Sequence, residues 1–208
     1  MPTFSERNVL SLTCYFSRQH EVKSAIEDCL ETFAQCKHAP PELFHDASQI
    51  NFEIEPGGLV TNDYALWEPL NGIGTTAFMC RLQDGWDSLA HCVSKSLGCK
   101  CVRIFASKDL RDSSANMFFV IENGKMSRCV YVLKDGGWKF YQEGSPLSFE
   151  DTSKYSLQKK ERLTFDMVIS YLRALGWLVD QTDFWKSNGP GFLFREIGEW
   201  RNGLYVIP

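Results

Sequence analysis

CVRIFASKDLRDSSANMFFVIENGKMSRCVYVLKDGGWKFYQ, residues 101–142, decides the fold. Cys101 to Ala106, Met117 to Glu122, Met126 to Leu133 and Trp138 to Gln142 each read as a strand, rich in β-branched and aromatic residues. Asn123-Gly124 is a two-residue hairpin turn, because both positions of such a turn need positive φ and Asn-Gly supplies it. Asp135-Gly136 turns the chain again. Turns this short force antiparallel neighbours, so the stretch predicts a meander of three or four strands.

Working outward, a helix precedes the meander. It opens near Asp87, read as its N-cap, places Leu89, Ala90, Val93 and Leu97 on one face, and ends at Gly98 in a left-handed cap. After the meander, Glu143 to Lys160 reads as a polar connection. Thr164 then caps a helix with Phe165, Val168, Leu172 and Leu175 inward and Gly176 closing it. The tail, Trp177 to Pro208, is glycine-rich and aromatic, with strands expected at Phe192 to Arg195 and Leu204 to Ile207.

Towards the N-terminus, Val9 to Phe16 reads as a strand. Val22, Ile26, Cys29, Leu30, Phe33 and Cys36 then recur at steps of three and four, the signature of an amphipathic helix. Pro40 and Pro41 follow its end. Asn51 to Glu55 alternates like a half-buried strand and Gly57-Gly58 marks a turn. Leu59 to Trp67 and Thr75 to Leu82 are weaker strands. The whole order is an α+β pattern, with about three helices packed on an antiparallel sheet meander. One domain spanning 1–208 is expected: residues 1–80 give a strand, a helix and an acidic portion, and residues 81–208 a helix, the meander, a helix and the aromatic tail.

Composition narrows the function. With 208 residues, 44% of them hydrophobic and 23% charged, the chain can bury an ordinary core. A net charge of −4 argues against binding a phosphate backbone. Met1 to Arg18 carries Glu6, Arg7 and Arg18 and lacks the apolar stretch of a signal peptide, and Pro69 to Cys80 is too short to span a bilayer. A cytoplasmic protein that meets no membrane is expected, and its eight cysteines are expected to be free structural thiols.

Motifs for chemistry are missing. Gly136-Gly137 and Gly57-Gly58 are doublets in turns rather than a phosphate cradle, and no G-x-S-x-G elbow occurs. His20, His38, His45 and His91 show no zinc-protease spacing. Cys36-x-His38 followed by His45 would sit in a proline-bounded loop, a poor frame for a metal. No catalytic, cofactor-binding or metal residue is assigned. One charge feature stands out: between His38 and Cys80 there is no Lys or Arg, while Glu42, Asp46, Glu53, Glu55, Asp63 and Glu68 are all present. It reads either as a solvated acidic face or as a surface that meets a basic partner.

A set of residues in the second half carries a resemblance. Gly85-Trp86 lead into the helix ending Leu97-Gly98, and Asn123-Gly124-Lys125 is followed by Arg128. Trp138, Tyr141, Gly144, Pro146, Phe149, Glu150 and Tyr155 come next, then Arg162-Leu163-Thr164, Tyr171-Leu172 and Leu175-Gly176-Trp177. From Gly85 to about Trp185 the chain resembles small bacterial immunity proteins, encoded beside the toxins of contact-dependent or type VI secretion systems. The resemblance implies a non-enzymatic, stoichiometric inhibitor that occludes the active site of a cognate secreted toxin domain. Toxin clefts that handle nucleic acid tend to be basic, which would suit the acidic segment. Glu53, Glu55, Asp63 and Glu68 are therefore expected at the toxin contact, with Trp67 as an aromatic anchor. Two alternatives stay open: an effector adaptor or chaperone, and a small cysteine-dependent enzyme.

Overall fold

The computed structural model describes residues 7–33, 37–50, 52, 62–80, 86–109, 115–197, 199–201 and 204–206. They form the expected α+β architecture, an antiparallel sheet with helices on both faces. In chain order the elements are β1 (Val9–Tyr15), α1 (Gln19–Phe33), β2 (Glu42–Asp46), β3 (Tyr64–Trp67), β4 (Thr76–Cys80) and α2 (Asp87–Leu97). There follow β5 (Lys100–Ser107), β6 (Ala115–Glu122), β7 (Lys125–Lys134), β8 (Trp138–Glu143), α3 (Phe165–Ala174), α4 (Thr182–Trp185) and β9 (Lys186–Phe194). β10 (Glu199–Arg201) and β11 (Leu204–Val206) pair in a separate two-stranded sheet.

The main sheet has nine strands in the order β2-β9-β3-β4-β1-β5-β6-β7-β8. β5 to β8 are the meander, each strand pairing antiparallel with the next. Asn123 and Gly124 take φ of 51° and 72°, the left-handed geometry that their hairpin needs. The other half of the sheet is not sequential. β9 returns from the C-terminal region to lie between β2 and β3, antiparallel to both.

Alternation along the central strands sends side chains to two cores. Leu10, Leu12 and Cys14 of β1 join Val102 and Ile104 of β5 and Val130 and Val132 of β7 on one face, beneath Val168, Ile169 and Leu172 of α3. Tyr15 and Cys101 point to the opposite face, where Val22, Ile26 and Leu30 of α1 and Leu89, Ala90 and Val93 of α2 cover them. Full burial of an aliphatic or aromatic side chain of this kind contributes about 1.5–3 kcal/mol, so the helices are held chiefly by these stripes.

Helix ends follow local chemistry. Thr164 caps α3 as expected, its hydroxyl accepting from the Met167 N–H, and Gly98 closes α2 in the left-handed conformation. Asp87 departs from expectation. Trp86, at φ 59°, occupies the N-cap position, and Asp87 is the first helical residue. Its carboxylate is engaged elsewhere, accepting from Arg103 Nε at 3.1 Å.

The expected strand at Asn51 to Glu55 lies mostly outside the described residues; of that stretch only Phe52 is described, and it is not in a strand. The expectation of eight free thiols is corrected by Cys29 of α1 and Cys92 of α2, which form a disulfide between the two helices. No helix among the described residues is long and apolar enough to cross a membrane.

Candidate functional site

The acidic segment was the first candidate, and distant residues modify it. Arg195, immediately after β9, reaches into the segment. Its Nε lies 3.6 Å from Glu42 Oε1, and its Nη1 donates to Asp63 Oδ2 at 3.3 Å. Asp63 is only 5% exposed and also accepts the Glu196 N–H at 2.9 Å. Asp46 accepts from both the backbone N–H and the hydroxyl of Ser48, at 2.9 and 2.5 Å, and so caps the short 3-10 turn Ala47–Gln49. Glu68 Oε1 accepts from the Gly74 N–H and from Asn188 Nδ2, both at 3.0 Å, tying the loop after β3 to β9. The described carboxylates of this segment are thus working inside the fold as well as carrying charge.

Two of the expected contact residues are corrected. Trp67 is 0% exposed. Its indole N–H donates to the Phe184 carbonyl at 2.7 Å, and its ring stacks on Trp185 at 5.8 Å between centroids. A side chain spent in this way has no surface to offer, so it is no exposed anchor. Asp63 is a buried counter-charge to Arg195 rather than a free carboxylate. Glu68 stays partly accessible, and Glu53 and Glu55 lie outside the described residues.

The densest polar constellation lies in the second half. Arg128 falls in phase with Val130 and Val132 on β7, so the pleat carries its side chain into the core. Only 1% of it is exposed. All its N–H groups are used. Nε and Nη2 grip the two Glu150 oxygens at 2.9 and 2.6 Å. Nη1 donates to the carbonyls of Glu143 and Gly144 at 3.1 and 2.8 Å, and Nη2 also donates to Gln142 Oε1 at 3.0 Å.

Glu150 is equally satisfied. Oε1 also accepts the Leu147 N–H at 2.9 Å, and Oε2 accepts the Tyr155 hydroxyl at 2.6 Å. Tyr155 and Tyr171 bring their hydroxyls within 3.3 Å of each other. Burial alone would raise the Glu150 carboxyl, but the Arg128 guanidinium, the Leu147 N–H and the Tyr155 hydroxyl outweigh it and hold the group below the usual range. Burial and the bond to Glu150 push the Tyr155 phenol far up. Every donor and acceptor of the Arg128–Glu150 pair is occupied, so the pair has no position left for a substrate. Its physical effect is to hold the 144–155 connection against β7, where Gly144 (φ 80°) has no room for a Cβ beside the Ser127 carbonyl.

Cys14, Cys99, Cys101 and Cys129 are not activated. A nucleophilic thiol needs a lowered pKa, given by a cation, a helix N-terminus or a base. Here burial pushes Cys14, Cys99 and Cys101 up, and it takes Cys129 to about 11 with help from the Glu143 charge. Among the described residues, no group of three or more His, Cys, Asp or Glu side chains is arranged to hold a metal ion. Cys36 lies outside the described residues, while His38 and His45 engage separate backbone carbonyls, of Asn62 and Gly189.

The buried pair escaped the sequence reading as a unit. The parity of Arg128 with Val130 and Val132 was its one local signal. Glu150 and Tyr155 lie beyond a turn and a strand, and nothing local pairs them with it. Compared with models of known families, with characterised proteins and with solved structures, the chain matches none.

Proposed function

We propose that the chain is a non-enzymatic immunity protein that binds the toxic domain of a cognate secreted effector and blocks its active site. The observation that carries this reading is the convergence of the resemblance residues. Arg128, Gly144, Glu150, Tyr155 and Tyr171 are scattered over the sequence, yet they meet around one satisfied ion pair. Residues that carry the resemblance thus have one structural job in common. The raised thiols and the closed polar cluster support a binding role over catalysis.

The toxin contact is proposed on the acidic segment, at Glu53, Glu55 and Glu68, where carboxylates would steer and orient a basic cleft. The test is co-expression of the chain with the toxic domain encoded beside it, in a sensitive host, followed by purification of the pair. Growth rescue and a one-to-one complex are expected. Reversing Glu53 and Glu55 to Lys should slow association at least tenfold, since opposing fields become like fields. No rescue and no complex would remove the immunity reading. Undiminished binding by the double Lys protein would move the contact elsewhere.

The proposed site of action is the cytoplasm, and Cys29 and Cys92 report on it. Reducing compartments keep such a pair as thiols, whereas an oxidising one closes it. Acid quenching of cells followed by alkylation separates the two cases: in the cytoplasm the disulfide of the structure is held open by reductants and both cysteines take the label. Two unlabelled cysteines whose peptides stay joined until a reductant is added would place the protein outside the cytoplasm.

A further inference from the structure

We propose that the β8 edge is a seam through which two copies of this chain pair antiparallel and join their sheets. Among the described residues the nine-stranded order ends at β8, so one side of that strand has no strand partner there. Such an edge offers a row of backbone donors and acceptors to another strand. Edge strands are commonly blunted by proline, a bulge or charged side chains; β8 has no proline and pairs with β7 in unbroken register, and its two charges, Lys139 and Glu143, are of opposite sign. Lys139, Tyr141, Gln142 and Glu143 are all exposed.

Charge complementarity selects the occupant. Lys139, Tyr141 and Glu143 project from one face of β8, with Tyr141 midway between the two charges. In an antiparallel two-fold pairing, facing residues lie on the same side of the sheet, so only registers of even sum are open. Centred on Tyr141, the register sets Lys139 of each copy opposite Glu143 of the other, twice over. Moving the centre to Phe140 or Gln142 loses both pairs. The central register also sets the two Tyr141 rings side by side. Each already stacks on Tyr131 of its own copy, at 5.4 Å between centroids and 26° between planes, so four rings would continue across the seam. Tyr141 is 44% exposed in the single chain, a large aromatic surface for a strand edge. The seam uses the same patch on both copies, as a two-fold interface must.

Among the described residues Lys139 pairs with exposed Asp135, and Glu143 accepts the Tyr141 hydroxyl. Both can turn to a second copy without leaving a buried group unpaired. This seam does not rest on the proposed toxin binding, and it lies at the opposite end of the sheet from β2, β9 and β3.

Sedimentation velocity across a hundredfold concentration range tests it. The parent is expected to approach twice the 23.8 kDa of the chain at the upper end. Lys139→Glu and Glu143→Lys, each made alone, face like charges across the seam twice and should shift the midpoint at least tenfold towards monomer. Mixing the two single variants should restore the doubled mass, because each then meets its opposite. The double variant Lys139→Glu/Glu143→Lys should pair with itself. Circular dichroism of every variant should match the parent, since the positions are exposed. A monomer at all concentrations, or a dimer indifferent to both reversals, overturns the seam. So does a monomeric chain whose Lys139→Glu variant loses toxin protection, since the edge then belongs to the toxin.

Discussion

Glu150→Ala is expected to destabilise the protein by about 3–5 kcal/mol, measured as a shift in urea unfolding, because it strands the buried Arg128 guanidinium without a counter-charge. The mechanism is desolvation rather than a lost attraction. In the parent, the cost of burying both charges is offset by a two-point grip and by full use of the remaining donors. Removing one partner leaves that cost uncovered. Arg128→Met should cost a similar amount, for the complementary reason. The double variant should cost less than the two singles together, and the shortfall measures their coupling. If either single variant unfolds at the parent's urea midpoint, the pair is not a stabilising unit.

The same pair sets an acid limit. Glu150 is held below the ordinary carboxylate range in the folded protein. Its contribution is therefore complete above the unfolded-state value of about 4.3, and is lost as the pH falls through the lower folded value. The parent's unfolding midpoint should drop steeply below about pH 4, while that of Glu150→Ala should fall less over the same window. An equal fall in both would assign the acid sensitivity to other carboxylates.

Trp67→Ala should cost a comparable 3–5 kcal/mol through the cavity left among Phe44, Phe184 and Trp185. Trp67→Phe separates the hydrogen bond from the volume. It keeps much of the packing but leaves the Phe184 carbonyl without its indole donor, a loss of about 1–3 kcal/mol. Neither change should alter affinity for the proposed toxin partner while the protein remains folded. A surface anchor would behave in the opposite way, weakening binding at unchanged stability. Paired urea melts and toxin titrations separate the two outcomes.

The parts of the fold that depend on near neighbours were legible in the sequence. Asn123-Gly124 and Asp135-Gly136 dictate their turns, and α1, α2 and α3 each repeat at helical spacing. β3 and β4 were faint for a physical reason. Tyr64 to Trp67 and Thr76 to Cys80 are buried on both faces, so their side chains need not alternate. β2 was missed because its strand partner among the described residues is β9, roughly 150 residues downstream in the ladder from Phe44 to Gly191. The candidate contact residues failed in the same way. Asp63 and Trp67 look available until Arg195 and Phe184 arrive from the far end of the chain to occupy them.

The position of β9 governs the order in which the molecule can be completed. As the chain leaves the ribosome, β1, β4 and the meander have all their neighbours once residue 143 has emerged. The gap between β2 and β3 cannot close until Lys186 to Phe194 has been made. Until then the nascent protein carries two unsatisfied strand edges facing an empty slot, and only the synthesis of β9 seals them.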